Sequence, residues 1–298
     1  MSLKKIFTKY TLYLQDYEAY KNYKYNLKCQ KSNITLPAMV SSTNNTFITY
    51  KHSGNIGDII YALPTVYKLA RGKSIRLYLN LNQQGVYGKN KHPLGTVMLN
   101  QNMLEMLQPL LENQPIPIIC LPWHNESIDV DLDLFRQYPF TTKAGNIARW
   151  YFYVFGINAN LGLPWLHVTP NNAYANTIVV ARSQRYNAPG INYGFLSKYT
   201  NITFVGVPAE FEIIKNQLST ISYTPVANFL QLAQIIGGCG LFIGNQSFPY
   251  AIAEALKVKR ILEVYHQCPN VIPEGDNGYD FCYQPQFEHL VSMLAPPI

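Results

Sequence analysis

The sequence predicts an α/β protein made of two Rossmann-like domains that face a cleft. Two observations predict this fold class. Short β-branched runs alternate with amphipathic helical stretches from residue 46 onward, and a segment with several Pro and Asn residues, Asn158–Asn176, divides the alternation into two series. The length of 298 residues also suits two domains. We therefore predict an N-terminal domain over residues 1–165 and a C-terminal domain over residues 166–298.

The order of elements follows from periodicity, because strands favour β-branched residues and helices repeat apolar residues at steps of three and four. The predicted elements of the first series are strand Thr46–Lys51, helix Asp58–Ala70, strand Ile75–Leu81, helix Met98–Leu111, strand Pro115–Leu121 and helix Gly145–Phe155. Those of the second series are strands Thr177–Ala181 and Ile202–Val207, helices Glu210–Gln217 and Val226–Ile236, strand Gly240–Gly244, helix Phe248–Lys257, strand Arg260–Tyr265 and helix Phe287–Leu294.

The N-terminal segment carries most of the net charge of +7. Its first 31 residues contain seven lysines and two acidic residues. Apolar and aromatic residues recur there with helical spacing, namely Leu3, Ile6, Phe7, Tyr10, Tyr13, Leu14, Tyr17 and Tyr20. We expect an amphipathic helix that docks on the first domain with its lysines in water. The alternative is a basic, aromatic face that makes a peripheral contact with an anionic membrane or another polyanion.

Composition excludes several classes of protein. Hydrophobic residues make up 48% of the chain, enough for a core, and no apolar run approaches the ~18 residues of a membrane span. The five cysteines contain no Cys-x-x-Cys pair, and the six histidines lack metal-ligand spacing, so we expect reduced thiols, no metal and a cytoplasmic location. Asp129, Asp131 and Asp133 alternate as on one strand face, but no EF-hand loop follows.

The first motif runs from Lys51 to Pro64 and joins a strand to a helix. Gly54 and Gly57 allow a tight turn and close approach of another molecule to the backbone. Asp58 is predicted to cap the helix. The loop lies at the carboxyl edge of a parallel strand, where ligands bind in open α/β folds. Its spacing matches neither a dinucleotide fingerprint nor a P-loop.

The second motif runs from Gly240 to Lys257 and again joins a strand to a helix. Its turn contains Gly244, Asn245, Gln246, Ser247 and Phe248. Because the first N–H groups of a helix lack intrahelical partners and lie at the positive end of its dipole, this turn suits a diphosphate. The alternative is an ordinary strand–helix corner.

Two arginines, Arg182 and Arg185, follow the first strand of the second series. Guanidinium groups bind phosphate oxygens in a bidentate manner, so we expect both arginines to clamp an anion in the cleft. A solvated surface pair is the alternative. Near these motifs, His52, Glu210 and Glu212 are weaker candidates. His52 either touches a ligand or is structural, and the two glutamates either reach a ribose or sugar hydroxyl or begin an exposed helix.

Together these residues resemble glycosyltransferase family 9, the heptosyltransferase-like enzymes of GT-B fold. The family's Gly-Asp-apolar-apolar-x-x-x-Pro element is matched by residues Gly57 to Pro64, and its second signature, a strand, a turn and an Ala-rich helix, by residues Phe242 to Leu256. The chain departs from many relatives where they have Asp-(Ser/Thr)-Gly, because it has Asn245-Gln246-Ser247 there.

The resemblance implies an inverting, metal-independent transfer of a sugar from a nucleotide-diphosphate donor to a saccharide or glycolipid hydroxyl. It implies that Asp58 is the general base, that the donor lies on the C-terminal domain, and that the last helix lies near the first domain. No cofactor beyond the donor is expected, and a nucleic-acid partner is not expected because no recognition module is visible. The location would be cytoplasmic, either free or at the inner membrane face. A non-catalytic GT-B domain that binds a nucleotide sugar or a partner, and a sugar-nucleotide epimerase, remain as alternatives.

Overall fold

The computed structural model describes residues 3–31, 46–85 and 95–297. Its strands are β1 (Phe47–His52), β2 (Ser74–Leu79), β3 (Ile118–Pro122), β4 (Val130–Asp131), β5 (Ile178–Ala181), β6 (Ile202–Phe204), β7 (Ser222–Tyr223), β8 (Leu241–Asn245), β9 (Arg260–Glu263) and β10 (Gly278–Phe281). Its α-helices are α1 (Leu3–Gln15), α2 (Tyr17–Lys31), α3 (Ile56–Ala70), α4 (Gln101–Glu112), α5 (Ile147–Phe155), α6 (Pro208–Lys215), α7 (Phe229–Gly238), α8 (Phe248–Leu256) and α9 (Gln284–Leu294).

The N-terminal sheet is parallel, with the strand order β3-β2-β1-β4. Its central strand β1 buries Ile48 and Tyr50, and the Tyr50 hydroxyl donates to the Val66 carbonyl of α3 at 2.9 Å. After β1 the chain turns towards β2, whereas β4 lies on the other side of β1. The carboxyl ends of β1 and β4 therefore flank a topological switch point, which is where ligands bind in open parallel sheets.

The C-terminal sheet is also parallel, with the strand order β10-β9-β8-β5-β6-β7. Numbered within this sheet, the order from β7 is 3-2-1-4-5-6, which is that of a doubly wound Rossmann fold. All four residues of β5 are buried, as expected for a strand covered on both faces. The switch point lies between β5 and β8. The predicted class, α/β with two Rossmann-like domains that face each other, is confirmed.

Helices α3 and α8 join the two halves. They pack against each other, and one apolar core continues from Ile60 in α3 to Ile252 in α8. Trp165 links the connecting segment to both helices by hydrogen bonds. Its Nε1 donates to the Ile60 carbonyl of α3 at 3.0 Å, and its backbone N–H donates to the Ala255 carbonyl of α8 at 3.0 Å. The division of the chain at residue 165 stays a prediction.

Most predicted elements are present within a few residues of their predicted bounds. The sequence did not reveal β4, β7 and β10, which are two to four residues long and carry little periodicity. The expectation that the last helix lies near the first domain is wrong. Phe287 and Val291 of α9 belong instead to the core around β5, β6 and β8 of the C-terminal sheet.

The N-terminal segment forms two helices, α1 and α2, that meet at Asp16. The expectation of a docked helix is wrong for α1, because none of its residues, all of which the structure describes, is buried. A hydrogen bond from Lys28 Nζ to the Tyr138 carbonyl, at 3.5 Å, joins α2 to the first domain. Within the described ranges, no helix combines the length and the apolar character that crossing a membrane requires.

Candidate functional site

The first switch point joins the end of β1 to the 3-10 turn that follows β4. Ser53 comes directly after β1, and Asp133 lies in the turn Leu132–Gln137. The Ser53 backbone N–H donates to Asp133 Oδ1 at 3.1 Å, and its hydroxyl donates to Oδ2 at 2.5 Å. Burial would raise the pKa of Asp133, but the hydrogen bonds from Ser53 and the Arg136 charge oppose burial, and the pKa is lowered. Asp133 is therefore an ionised carboxylate.

A chain of hydrogen bonds fixes the backbone between β1 and α3. The fully buried His52 accepts the Gly54 N–H at Nδ1, 2.8 Å away, and its Nε2 lies 2.8 Å from the Tyr151 hydroxyl. Because Nδ1 accepts, we assign the ring proton to Nε2, and the Tyr151 hydroxyl then donates to the Asp58 carbonyl at 3.2 Å. Burial lowers the pKa of His52 despite the neighbouring acids, so the ring is neutral. The structure thus gives His52 a positioning role.

Asp58 lies at the rim of this cluster. Asn55 rather than Asp58 occupies the N-cap position of α3, so the predicted capping role is wrong and Asp58 belongs to the first helical turn. Its side chain is 21% exposed, and Arg136 Nη2 lies 3.9 Å from Asp58 Oδ2. Arg136 Nε also lies 3.5 Å from Asp133 Oδ1. The guanidinium therefore bridges two carboxylates and orients the one at the rim.

The two glycines of the first motif serve different contacts. A Cβ at Gly54 would lie 2.6 Å from the His52 ring, 2.7 Å from Arg136 Nη2 and 2.9 Å from Asp58 Oδ2, so only glycine fits among these groups. A Cβ at Gly57 would lie 3.8 Å from Cα of Phe248, which is ordinary contact distance. Gly57 therefore brings the start of α3 against the start of α8.

Replacement of Gly54 by Ala is expected to lower the free energy of unfolding by about 1–3 kcal/mol, because the methyl group displaces the His52 ring and the Arg136 guanidinium. Gly57→Ala is the matched control, since its methyl group meets nothing closer than 3.8 Å and alanine favours the helix. Chemical denaturation of both variants measures the difference. Equal stability would show that the close contacts around Gly54 relax without cost.

The second switch point is organised by Asn245, the last residue of β8. Its buried Nδ2 lies within hydrogen-bond distance of three acceptors that share its two hydrogens, the carbonyls of Ser183 and Arg185 at 2.9 and 2.7 Å and Asn187 Oδ1 at 2.9 Å. Its Oδ1 accepts the Ser183 N–H at 2.9 Å. Asn245 thus holds the loop after β5 in place, and its amide has no capacity left for a diphosphate.

Gln246 also stabilises the surrounding loops. Its Nε2 donates to the Cys268 carbonyl at 2.6 Å and to Asn270 Oδ1 at 2.7 Å, and its Oε1 accepts the Tyr265 N–H at 3.1 Å. These bonds connect the turn before α8 to the loop after β9. The structure therefore places the Gln246 side chain within the framework rather than at its open edge.

The remaining residues of the second motif lie at the start of α8 or in the strand before it. Gly244 belongs to β8, where a Cβ would lie 2.8 Å from the Ala181 carbonyl oxygen of β5, so its role is close strand packing. Ser247 occupies the N-cap position, and its hydroxyl donates to the Asn245 carbonyl at 3.1 Å. Phe248 begins α8 and packs edge-on against Phe229 at 4.5 Å between ring centres.

Arg182 is committed to a buried ion pair. Its Nε and Nη2 donate to the two carboxylate oxygens of Glu263, each at 2.7 Å. Glu263 is fully buried and also accepts the Ala188 N–H at 2.6 Å and the Tyr193 hydroxyl at 2.9 Å. This geometry favours a structural role for Arg182 over the expected phosphate clamp, because the guanidinium edge that would hold phosphate already holds Glu263.

The loop after β5 also brings Arg185 and Glu210 together. Glu210, in the first turn of α6, is buried and accepts the Gln184 N–H at 3.2 Å. Burial raises the pKa of Glu210 to about 7, although that N–H and the positive charge of Arg185 oppose the shift. Tyr186 next to them has a left-handed backbone with φ of 57°. An arginine and a buried carboxyl group therefore lie beside the end of β5.

The sequence patterns did not identify Arg136, Tyr151 or Glu263 as site residues. They included Asp133 only as one of three alternating acids. Arg136 and Asp133 follow a two-residue strand with no recognisable pattern, whereas Glu263 ends a predicted strand and could have been considered as a partner for the arginines. Among the residues that the structure describes, no three His, Cys, Asp or Glu side chains are grouped to hold a metal ion.

No protein-family model matches the sequence, and no curated protein matches it significantly. Solved structures do match. A glycosyltransferase family 9 protein from Veillonella parvula is 14% identical, with 89% of this chain and 92% of that chain covered and a TM-score of 0.53. E. coli heptosyltransferase WaaC with ADP is 9% identical, with 84% and 100% covered and a TM-score of 0.54. E. coli ADP-heptose lps heptosyltransferase II is 12% identical, with 83% and 98% covered and a TM-score of 0.57.

These three structures extend over most of this chain and over almost all of their own length. The resemblance inferred from the two sequence motifs is therefore confirmed at the level of the fold, although the identities are low. The chain has the two-domain GT-B architecture of the heptosyltransferase structures.

Proposed function

We propose that this protein is a glycosyltransferase that moves a sugar from a nucleotide-diphosphate donor to a hydroxyl acceptor. One observation carries the proposal: α3 and α8, which leave the two switch points, begin in contact, with Gly57 against Phe248. Asp58, whose side chain is 21% exposed, follows Gly57 directly and therefore lies close to the N-terminus of a second helix. An acceptor hydroxyl would contact the Asp58 carboxylate there, and an anionic leaving group would contact the positive N-terminus of α8.

The donor would bind on the C-terminal half. Helix α8 has nine residues, and the N–H groups of Phe248 and Tyr250 and the positive end of the helix dipole lie at the switch point, whereas Pro249 between them has no N–H. Arg185 lies on the neighbouring loop and would add positive charge beside the diphosphate. The Glu210 carboxyl group would accept a hydrogen bond from a ribose or sugar hydroxyl. Neutralisation by a helix terminus and an arginine supports a transfer that needs no metal.

Asp58 would act as the general base. Its carboxylate would take the proton of the acceptor hydroxyl while that oxygen attacks the anomeric carbon, and the bond from that carbon to the diphosphate oxygen would break. Attack on the face opposite the leaving group inverts the anomeric configuration. Arg136 would hold the Asp58 carboxylate in position, and the α8 terminus would stabilise the charge on the departing nucleotide diphosphate.

A non-catalytic nucleotide-sugar-binding domain is the second candidate. The observation in its favour is that the side chains of Asn245 and Gln246 form hydrogen bonds to neighbouring loops, at positions where many family members have an acid and a hydroxyl. An epimerase is the third candidate. It would need a histidine that faces the donor sugar, and His52 does not fill that role because it is fully buried against Tyr151. The saccharide or glycolipid acceptor is proposed from the family resemblance.

A panel of nucleotide sugars tests the proposal. A specific donor at about 100 Kd adds about 2.7 kcal/mol to stability, so we expect one donor to raise the melting temperature clearly. With saccharide and glycolipid acceptors, the same donor should release nucleoside diphosphate in the presence of a chelator and give a product of inverted anomeric configuration by NMR. Donor binding without transfer would favour the non-catalytic domain, conversion of the donor sugar would favour the epimerase, and no donor binding would overturn all three hypotheses.

A further inference from the structure

Helix α1 presents an apolar face that the described part of the chain leaves uncovered. Five side chains along this face are between 46% and 86% exposed, namely Leu3, Ile6, Phe7, Tyr10 and Leu14. Their spacing of three and four residues places them on one side of the helix. Each is an aliphatic or aromatic side chain that would gain free energy by leaving water. The face therefore has the size and continuity of a docking surface.

The charge of the same segment indicates what would cover this face. Lys4, Lys5 and Lys9 lie on α1, and four further lysines follow on α2, against the two acidic residues Asp16 and Glu18. On α1, Lys4 and Lys9 lie about a third of a turn from the centre of the apolar face, on opposite flanks, and Lys5 lies nearly opposite that centre. A helix with apolar groups on one side and ammonium groups on its flanks suits a surface in which an apolar layer lies beneath anionic groups.

We propose that α1 docks on an anionic membrane surface, with its apolar face among the acyl chains and its lysines at the headgroups. A second copy of this chain fits less well, because pairing of two such helices would bring two sets of seven lysines together. A lipid surface offers the opposite charge to the lysines and apolar contact to Phe7 and Leu14 at once. This inference rests on α1 and α2 alone and does not depend on the proposed transfer reaction.

Vesicle flotation of the full chain tests the proposal. We expect binding to vesicles of phosphatidylglycerol and phosphatidylcholine, and binding at least about tenfold weaker to phosphatidylcholine alone, since each lysine near an anionic surface contributes about fivefold. The variant F7E/L14E should lose binding to both kinds of vesicle. The variant K4Q/K5Q/K9Q should show a weaker preference for phosphatidylglycerol, although the four lysines of α2 remain, and added salt should weaken the preference of the parent protein as well.

The matched control is L163E/I213E, which places the same charges at two apolar positions elsewhere that are 60% and 42% exposed. It should bind vesicles as the parent protein does, with circular dichroism confirming that both double variants are folded. Equal binding by F7E/L14E and the parent, or no preference for phosphatidylglycerol, would overturn the proposal. The proposal would also be overturned if the parent protein failed to bind vesicles and instead formed a dimer in sedimentation velocity that F7E/L14E abolished.

Discussion

Replacement of Asp58 by Asn is expected to lower turnover by about 10²–10⁴-fold while donor affinity stays unchanged. The amide has the size of the carboxylate but cannot accept the acceptor proton. The framework should persist, because the backbone carbonyl of Asp58 still accepts the Tyr151 hydroxyl and the side chain still lies beside Arg136. Initial rates of nucleoside diphosphate release, together with donor titration, measure the two quantities separately.

The control for this variant is Asp276→Asn, which makes the same chemical change at an exposed position outside both switch points. It should leave turnover and donor affinity at the parent values. Turnover that survives in Asp58→Asn would assign the base to another residue. Loss of donor binding together with turnover would instead place Asp58 in the donor site or in the framework.

Replacement of Arg182 by Met is expected to lower the free energy of unfolding by about 3–5 kcal/mol, because it leaves the Glu263 carboxylate buried without its counter-charge. Methionine fills part of the space of the arginine stem but provides no donor. Glu263 would keep the Ala188 N–H and the Tyr193 hydroxyl, which do not neutralise its charge. Urea denaturation of the variant and the parent measures the loss.

Arg149→Met serves as its control. Arg149 also pairs with a glutamate, Glu274, but at 3.6 Å and with 44% of its side chain exposed, so its loss should change stability by at most about 1 kcal/mol. If Arg182→Met kept the stability of the parent and lost affinity for the nucleotide diphosphate, the expectation of a phosphate clamp at Arg182 would hold instead. The two roles therefore give opposite results in two simple measurements.

The fold was largely predictable because its long elements carry strong patterns. Helix α3 repeats apolar residues over fifteen positions, and β5 is a continuous buried run. Such patterns can be recognised in the sequence without any knowledge of tertiary contacts. Strand β4 has two residues, and only its pairing with Tyr50 and Lys51 of β1 defines it. The position of α1 was missed because an amphipathic pattern shows that a helix has an apolar face, but not what lies against it.

The site was predictable only in part, because sequence order places residues at a sheet edge without giving their partners. The two strand–helix turns were located correctly, and Gly57 and Phe248 do meet between α3 and α8. Whether Arg182 faces a ligand or a buried acid depends on Glu263, which lies 81 residues further along the chain. The contacts of Asn245 could not be predicted for the same reason, since its three acceptors belong to a loop about 60 residues earlier.

The continuous core between α3 and α8 has a consequence for how the chain unfolds. Two domains that touch only through polar surfaces can melt separately, but here the buried side chains of one half, such as Ile60, and of the other, such as Ile252, belong to one cluster. Loss of either half would expose the apolar surface of its neighbour to water. Trp165 adds a hydrogen bond to each helix across the same junction. We therefore expect the two sheets to unfold together in one cooperative transition, despite the two-domain topology.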